Sequence, residues 1–172
     1  GLFFFWDTIY NEKVRRFTSK NILRRFYKMA KLGRYSAQRR KVEALTAAKT
    51  VEVHDCGTEF TLGTAGGFAV VLPDASAAGA GWWCRFTVKV APTTAYTVDA
   101  SANDGDNVHG NVLSGEDDND GSDTSSTSNT AVDTITFVAD KSKIGDSVEV
   151  WTDGAFWYAT GNSTQRDGMT IA

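Results

Sequence analysis

The amino-acid sequence predicts an all-β fold: an antiparallel β-sandwich or barrel of about eight to ten short strands, preceded by a basic N-terminal arm. Three observations carry this prediction. From Thr50 onward apolar and polar residues alternate, which is the period of a half-buried strand. Turn-forming residues recur at intervals of roughly 8 to 12 residues, with almost no helical periodicity between them. Basic residues are concentrated ahead of an acidic remainder.

The charge distribution divides the chain in two. Residues 1–41 contain twelve Lys and Arg against two acidic residues, a net charge of +10, whereas residues 42–172 carry a net charge of −13. We therefore expect a basic arm over residues 1–48 and a single β domain over residues 49–172. The arm indicates an anionic partner, such as nucleic acid, a membrane surface or an acidic protein face. The arm residues expected to contact the partner are Lys31, Arg34, Arg39, Arg40 and Lys41.

The first 28 residues alternate aromatic and basic groups. One face of a helix would carry Trp6, Tyr10, Val14 and Phe17. Two interpretations are open for residues 1–28: short amphipathic helices that lie on a membrane or a partner, or an extension from upstream sequence, because Met29 has the character of a native start. Residues 31–41 contain almost no aliphatic side chain, so we expect them to be extended.

Alternating apolar residues define the strands in chain order. Strands are predicted around Val51 and Val53, Phe60 and Leu62, Phe68 to Leu72, Tyr96 and Val98, Val108 to Leu113, Ile135 and Phe137, and Met169 to Ile171. Pro73 ends the third of these, because proline cannot donate to a central ladder. The clearest amphipathic strand runs from Trp82 to Val90, with Trp82 and Cys84 predicted on the core face and Trp83 on the other.

The segment 116–129 is acidic and too poor in apolar residues to pack, so we expect a mobile surface loop. Glu116, Asp118 and Asp120 follow the order of the first half of a calcium loop. The twelfth position is Thr127, where such a loop needs a bidentate Glu. The segment is therefore interpreted as a solvated loop without a metal.

The clearest hairpin covers residues 145–161 and turns at Asp153-Gly154, a pair typical of a two-residue type I′ turn. Such a turn would place Trp151 opposite Phe156. The expected core face carries Val148, Val150, Trp157 and Ala159. Large apolar groups also occupy the other face, which marks either an interface or a second layer covered by loops. The candidate oligomer interface consists of Trp83, Trp151, Phe156 and Tyr158.

Catalytic and metal sites find little support in the sequence. His54 and His109 lie in no recognisable nucleophile motif, and no phosphate loop occurs, so the chain is not expected to be an enzyme. The two histidines and Cys56 and Cys84 could supply a zinc site, but their spacing matches no zinc family. We expect no metal and no cofactor. Both thiols are expected to be reduced and partly buried, and a disulfide bond between them is the alternative.

Two stretches resemble virion proteins of tailed bacteriophages. The first is GFAVVLP at residues 67–73, followed by GWWCRFTV at residues 81–88, and the second is GDSVEV at residues 145–150 with DGAFWY at residues 153–158. The resemblance covers residues 45–172. It implies a β-rich, commonly trimeric module of a head decoration (cement) protein or of a tail or head fibre, which binds other virion subunits or a host surface.

The basic arm suits a decoration protein better than a fibre module. Together with the resemblance it implies a non-enzymatic structural protein that binds the major capsid protein through the arm, forms a homotrimer and takes no small-molecule substrate. A fibre module that binds a host receptor is the alternative. Contact of residues 1–41 with nucleic acid or membrane is a further alternative, which the −13 charge of the other residues opposes. The expected location is the capsid surface, after synthesis in the host cytoplasm.

Overall fold

The computed structural model describes residues 39–100, 108–115 and 126–172, with the backbone alone for residues 126–131. Its strands are, in chain order, β1 (Lys41–Leu45), β2 (Lys49–Thr50), β3 (Thr58–Leu62), β4 (Ala69–Val71), β5 (Trp83–Val88), β6 (Tyr96–Asp99), β7 (Val108–Ser114), β8 (Ser126–Val132), β9 (Thr134–Phe137), β10 (Ser147–Thr152), β11 (Trp157–Ser163) and β12 (Met169–Ile171). The helical elements in these ranges are a 3-10 turn (Val53–Asp55) and a short helix, α1 (Ala75–Ala78). The described chain is therefore all-β, as predicted.

Several predictions fall on residues outside the described ranges. They are the helical spacing over residues 1–28, the arm residues Lys31 and Arg34, and the acidic residues Glu116, Asp118 and Asp120.

The strands form two sheets around one core. Seven strands pair in the order β1-β3-β5-β10-β11-β7-β8, and five pair in the order β12-β9-β6-β4-β2. A single cluster of buried apolar side chains draws on both sheets. Its largest fully buried members include Phe60, Phe86 and Trp157 from the larger sheet and Tyr96, Ile135, Phe137 and Met169 from the smaller one.

Both sheets are mixed, so the prediction of an antiparallel fold is wrong. Five of the ten described pairings are parallel, namely β1 with β3, β3 with β5, β7 with β11, β2 with β4, and β4 with β6. Parallel neighbours need a crossover connection. Here the first six strands alternate between the two sheets, so β4 in one sheet provides the crossover between β3 and β5 in the other. Alternation of apolar residues does not depend on strand direction and could not reveal this.

The β domain begins earlier than predicted. β1 starts at Lys41, inside the range expected to be arm, and pairs in parallel with β3. Its Leu45 reaches the core, while Val42 is exposed on this edge strand. An edge strand with one buried residue gives little alternation, which explains why it was missed. The strand predicted around Val51 and Val53 is also wrong, because β2 ends at Thr50 and Val53 begins the 3-10 turn.

The end of the predicted acidic loop is strand, not loop. β8 begins at Ser126 and pairs antiparallel with β7, with Thr127 opposite Asn111 and Ser128 opposite Gly110. Backbone hydrogen bonds of a ladder do not require apolar side chains, so a polar sequence can form an edge strand. With β1 and β8, the described residues contain twelve strands and not about eight to ten.

Asp55 fastens the beginning of the domain. Its buried carboxylate lies 2.8 Å from Lys41 Nζ and 3.4 Å from Lys49 Nζ, and it accepts the N–H of Glu52 at 3.2 Å. Burial raises the pKa of Asp55, but the hydrogen bonds from Lys41 and Glu52 and the charges of both lysines outweigh it and lower the pKa to about 2. The carboxylate is therefore ionised at neutral pH, and its ion pair with Lys41 stabilises the fold.

Candidate binding surface

The predicted hairpin is formed by β10 and β11, but its register differs by two residues from the predicted one. Trp151 lies opposite Tyr158, and Thr152 lies opposite Trp157. Because side chains alternate along a strand with period two, a shift of two leaves each residue on its predicted face. Trp157 is accordingly fully buried, whereas 43% of Trp151 is exposed.

The loop of the hairpin explains the shift. A type I′ turn needs a positive φ at both central residues; here Gly154 has a φ of 94°, but Asp153 is not among the residues with positive φ. Instead, Asp153 Oδ1 accepts the N–H groups of Ala155 and Phe156, each at 2.9 Å. This side-chain turn is an alternative that Asp offers to the backbone. It produces a longer loop that ends before β11.

The same carboxylate also organises the outer face of the hairpin. The N–H groups of Phe156 and Ala155, and then the hydroxyl of Tyr158 at 3.1 Å, hold the pKa of Asp153 below its ordinary value. The hydrogen bond to Asp153 in turn raises the pKa of Tyr158. A negative charge is therefore fixed at the tip of the hairpin, beside the aromatic side chains.

Four aromatic side chains lie side by side across the outer face of the larger sheet. Pairing of β5, β10, β11 and β7 aligns Trp83, Trp151, Tyr158 and His109, which we call the aromatic row. Trp151 and Tyr158 stack with ring centroids 4.3 Å apart and an angle of 18°. Phe156 adds a fifth ring from the loop, 5.3 Å from His109 and 39% exposed. The row contains three of the four residues predicted for an interface, and Phe156, the fourth, lies beside it.

His109 joins the row through a close approach of two strands. β7 runs parallel to β11, with Gly110 opposite Ala159. A Cβ atom on Gly110 would lie only 2.2 Å from the carbonyl oxygen of Ala159, so this approach requires glycine. His109 was not predicted to belong to this surface. No local pattern could have done so, because β7 and β11 are distant in sequence.

A polar row lies next to the aromatic row. Glu149 of β10 stands opposite Arg85 of β5 on one side and Thr160 of β11 on the other. Arg85 Nη2 donates to Ser147 Oγ at 2.9 Å, and its buried Nε has no hydrogen-bond partner in the described residues. Glu149 is exposed, and within those ranges its carboxylate makes no hydrogen bond or ion pair.

An open groove of about 460 Å³ lies between the two tryptophans of the row, lined by Gly81, Trp83, Glu149 and Trp151. Tyr158 covers the face of Trp151 that points toward β11. The other face of Trp151 therefore points toward β5 and Trp83. The lining of the groove thus combines two indole side chains with a carboxylate.

Of the residues predicted for the arm, Lys31 and Arg34 lie outside the described ranges. Arg39 and Arg40 are exposed. Lys41 belongs to β1 and pairs with Asp55, and 53% of its side chain is exposed, so its role in binding a partner stays a prediction.

The histidines and thiols do not converge. His54 Nδ1 lies 3.1 Å from a carboxylate oxygen of Glu52, and His109 belongs to the aromatic row. Cys56 and Cys84 are both free; Cys84 is buried, which raises the pKa of its thiol, while Cys56 is exposed and not partly buried as expected. Across the described ranges, no group of three His, Cys, Asp or Glu side chains could hold a metal ion.

Comparisons with protein-family models, with curated proteins and with solved structures found no match. Within the part of the chain that the structure describes, no helix has the length and apolar character of a membrane span.

Proposed function

We propose that the protein is a structural virion protein of a tailed bacteriophage: a head decoration (cement) protein that binds the major capsid protein through its N-terminal arm. It assembles as a homotrimer at the capsid surface and has no enzymatic role. The observation that carries the proposal is the aromatic row, together with Phe156, on the outer face of the larger sheet. These rings lie outside the core, where a second subunit can cover them.

Exposed aromatic groups in one row indicate a contact surface. Single apolar residues on a surface are ordinary, whereas a contiguous set marks an interaction site. Tryptophan and tyrosine are also enriched among the residues that dominate binding energy at interfaces. In this protein Trp151 and Phe156 are 43% and 39% exposed, and their neighbours in the row extend the patch across four strands.

The fold supports an assembly role. Two sheets around a common core suit a β-sandwich, in which strands and not loops hold the row in a fixed geometry. Interfaces built on rigid elements lose less conformational freedom on binding. Decoration would then stabilise the shell by mass action, because each bound copy favours the assembled state over the dissociated one.

The arm is tested by removing its charge in the full chain. Replacing Lys31, Arg34, Arg39 and Arg40 together by Ser should abolish binding to purified phage heads while the circular dichroism of the β domain stays unchanged. Lys41 is kept, because its ion pair with Asp55 belongs to the fold. Lys89→Ser serves as the control, since this exposed lysine lies on the β domain. Unchanged binding of the fourfold variant would contradict the role of the arm.

The oligomeric state is tested by light scattering. A homotrimer of the 18.6 kDa chain should give a mass of about 56 kDa, which is three times the chain mass. A monomer at micromolar concentration would contradict self-assembly. It would leave the binding to heads to be judged separately.

A fibre module that binds a host receptor is the second candidate, because an aromatic groove open to solvent also suits a surface ligand. Copy number separates the two functions. Hundreds of copies per particle, labelled over the head, support decoration, whereas a few copies at the tail support a fibre. A count of zero in purified particles would contradict both.

A further inference from the structure

We propose that the groove between Trp83 and Trp151 binds a cationic side chain, the guanidinium of Arg or the ammonium of Lys, presented by a basic segment of a partner protein. The inference rests on the proposed function, because it names the chemistry of the partner at the same surface. It concerns the groove alone and does not involve the N-terminal arm.

The arrangement of the two tryptophans favours a cationic ligand. Trp83 and Trp151 are cross-strand neighbours on β5 and β10, yet they make no ring contact with each other, and the open volume of about 460 Å³ lies between them. Tyr158 stacks on one face of Trp151 at 4.3 Å and leaves the other face open. The π face of an indole attracts a cation within about 6 Å of its centre. The face of Trp151 that Tyr158 leaves uncovered, together with the second indole in the lining, favours a flat or compact cationic group.

Negative charge at the groove also favours a cationic ligand. Glu149 contributes an exposed carboxylate to the lining, and in the described residues it has no cationic partner. Its cross-strand neighbour Arg85 donates to Ser147 Oγ at 2.9 Å. Asp153, whose pKa is lowered by the N–H groups of Phe156 and Ala155, adds a second negative charge at the hairpin tip. Residues 42–172 as a whole carry a net charge of −13, so the field around the groove attracts cations.

The carboxylate of Glu149 disfavours other occupants of the groove. An apolar or neutral partner would bury Glu149 without an ion pair, because the neighbouring Arg85 donates to Ser147, and burying an unpaired charge is costly. A second copy docked face to face about a twofold axis would bring two identical acidic rows together, and like charges oppose such a contact. The contacts of a homotrimer join two different faces, so this repulsion does not apply to them. A cation satisfies both the carboxylate and the indole faces at once.

The test uses the full-length protein and a short acetylated peptide with two arginines separated by glycine, followed by calorimetric titration. We expect saturable binding that weakens as salt is added. The matched probe is the same peptide with citrulline in place of arginine, which keeps the shape and removes the charge. This second peptide should bind at least tenfold more weakly.

Two variants locate the site. Trp151→Ala should weaken binding of the arginine peptide about tenfold, and Glu149→Gln, which preserves shape on an exposed residue, should weaken it about threefold. Leu113→Ala and Asp133→Asn are the controls, because the first removes an exposed apolar group elsewhere on the larger sheet and the second an exposed carboxylate beside the smaller one. Both controls should bind like the parent protein.

Three results would overturn the inference. They are equal binding of the citrulline peptide, binding of a neutral oligosaccharide that Trp151→Ala abolishes and Glu149→Gln leaves intact, and self-association through Trp151 without any peptide binding. The copy number in particles is measured independently. A failure of the cation site therefore does not mimic a failure of the decoration role, and a count of zero with intact peptide binding would reject that role alone.

Discussion

Two pairs of tryptophans in this protein differ completely in environment, although each member of one pair lies close in sequence to a member of the other. Trp82 and Trp157 meet edge to face in the core, with ring centroids 5.4 Å apart, and Trp82 Nε1 donates to the carbonyl of Val53 at 2.8 Å. Trp83 is the next residue after Trp82, and it lies with Trp151 on the outer face of the same sheet. The pleat of a strand separates the two pairs, because successive side chains point to opposite faces.

The comparison shows that one residue type serves two purposes in this sheet. The inner pair is surrounded by other side chains, so its removal should cost folding free energy. The outer pair is less buried, since Trp83 is half-buried and 43% of Trp151 is exposed against 0% of Trp157. Stability and binding should therefore respond to different substitutions on the same strands.

The largest effect on stability is expected for a tryptophan of the core. Trp157→Ala should lower the free energy of unfolding by about 3 to 5 kcal/mol, because it removes a fully buried indole and leaves a cavity. Urea unfolding followed by circular dichroism measures the change. A loss below about 1 kcal/mol would mean that the inner and outer tryptophans do not differ as the comparison requires.

Gly110→Ala should destabilise the protein by about 2 kcal/mol, because the new Cβ would meet the carbonyl oxygen of Ala159 at 2.2 Å. The substitution sharpens the comparison by forcing β7 away from β11, so the position of His109 in the aromatic row should also change. Gly66→Ala is the control, since a Cβ there meets nothing within 4 Å. Thermal unfolding of both variants checks the prediction, and equal melting temperatures would contradict it.

The buried carboxylate of Asp55 and the exposed carboxylate of Glu149 should also differ in what they contribute to stability. The pKa of Asp55 falls from 3.8 to about 2 in the folded protein, so its contribution to stability, about 2 kcal/mol, is present in full above pH 4. It is lost as the pH falls through about 2. Urea unfolding at a series of pH values measures this dependence.

Asp55→Asn should lower stability at neutral pH and remove this part of the acid dependence. Glu149→Gln provides the matched control on the outer face and should leave the acid branch of the curve in place. An unchanged acid branch in Asp55→Asn would contradict the assignment.

The smallest effect on stability is expected outside. Trp151→Ala should change the free energy of unfolding by less than about 1 kcal/mol, because the side chain is exposed and stacks mainly on Tyr158. The same urea experiment measures it. A loss as large as that of Trp157→Ala would show that Trp151 belongs to the core.

The sequence predicted which face of each strand is buried, but not the order in which the strands pair. Alternation correctly separated Trp82 and Cys84 from Trp83, and Val150 and Trp157 from Trp151, since side-chain burial alone produces that pattern. Parallel pairing was missed, because it depends on the chain crossing repeatedly between sheets.

The details of the surface needed long-range pairing. The hairpin register was wrong because Asp153 forms a side-chain turn in place of a type I′ turn. His109 was overlooked because only the pairing of β7 with β11 brings it to Tyr158. The buried Asp55 was likewise invisible, since its lysine partners come from β1 and β2, which precede the turn that carries it.

The most direct test of the central claim is oxidative footprinting of the tryptophans in the free protein and in purified phage particles. Trp157 is the internal standard and should stay unlabelled in both samples. We predict that Trp151 is labelled in the free protein and protected several-fold in particles, because a partner subunit covers the outer face. Equal labelling of Trp151 in the two samples would contradict the account.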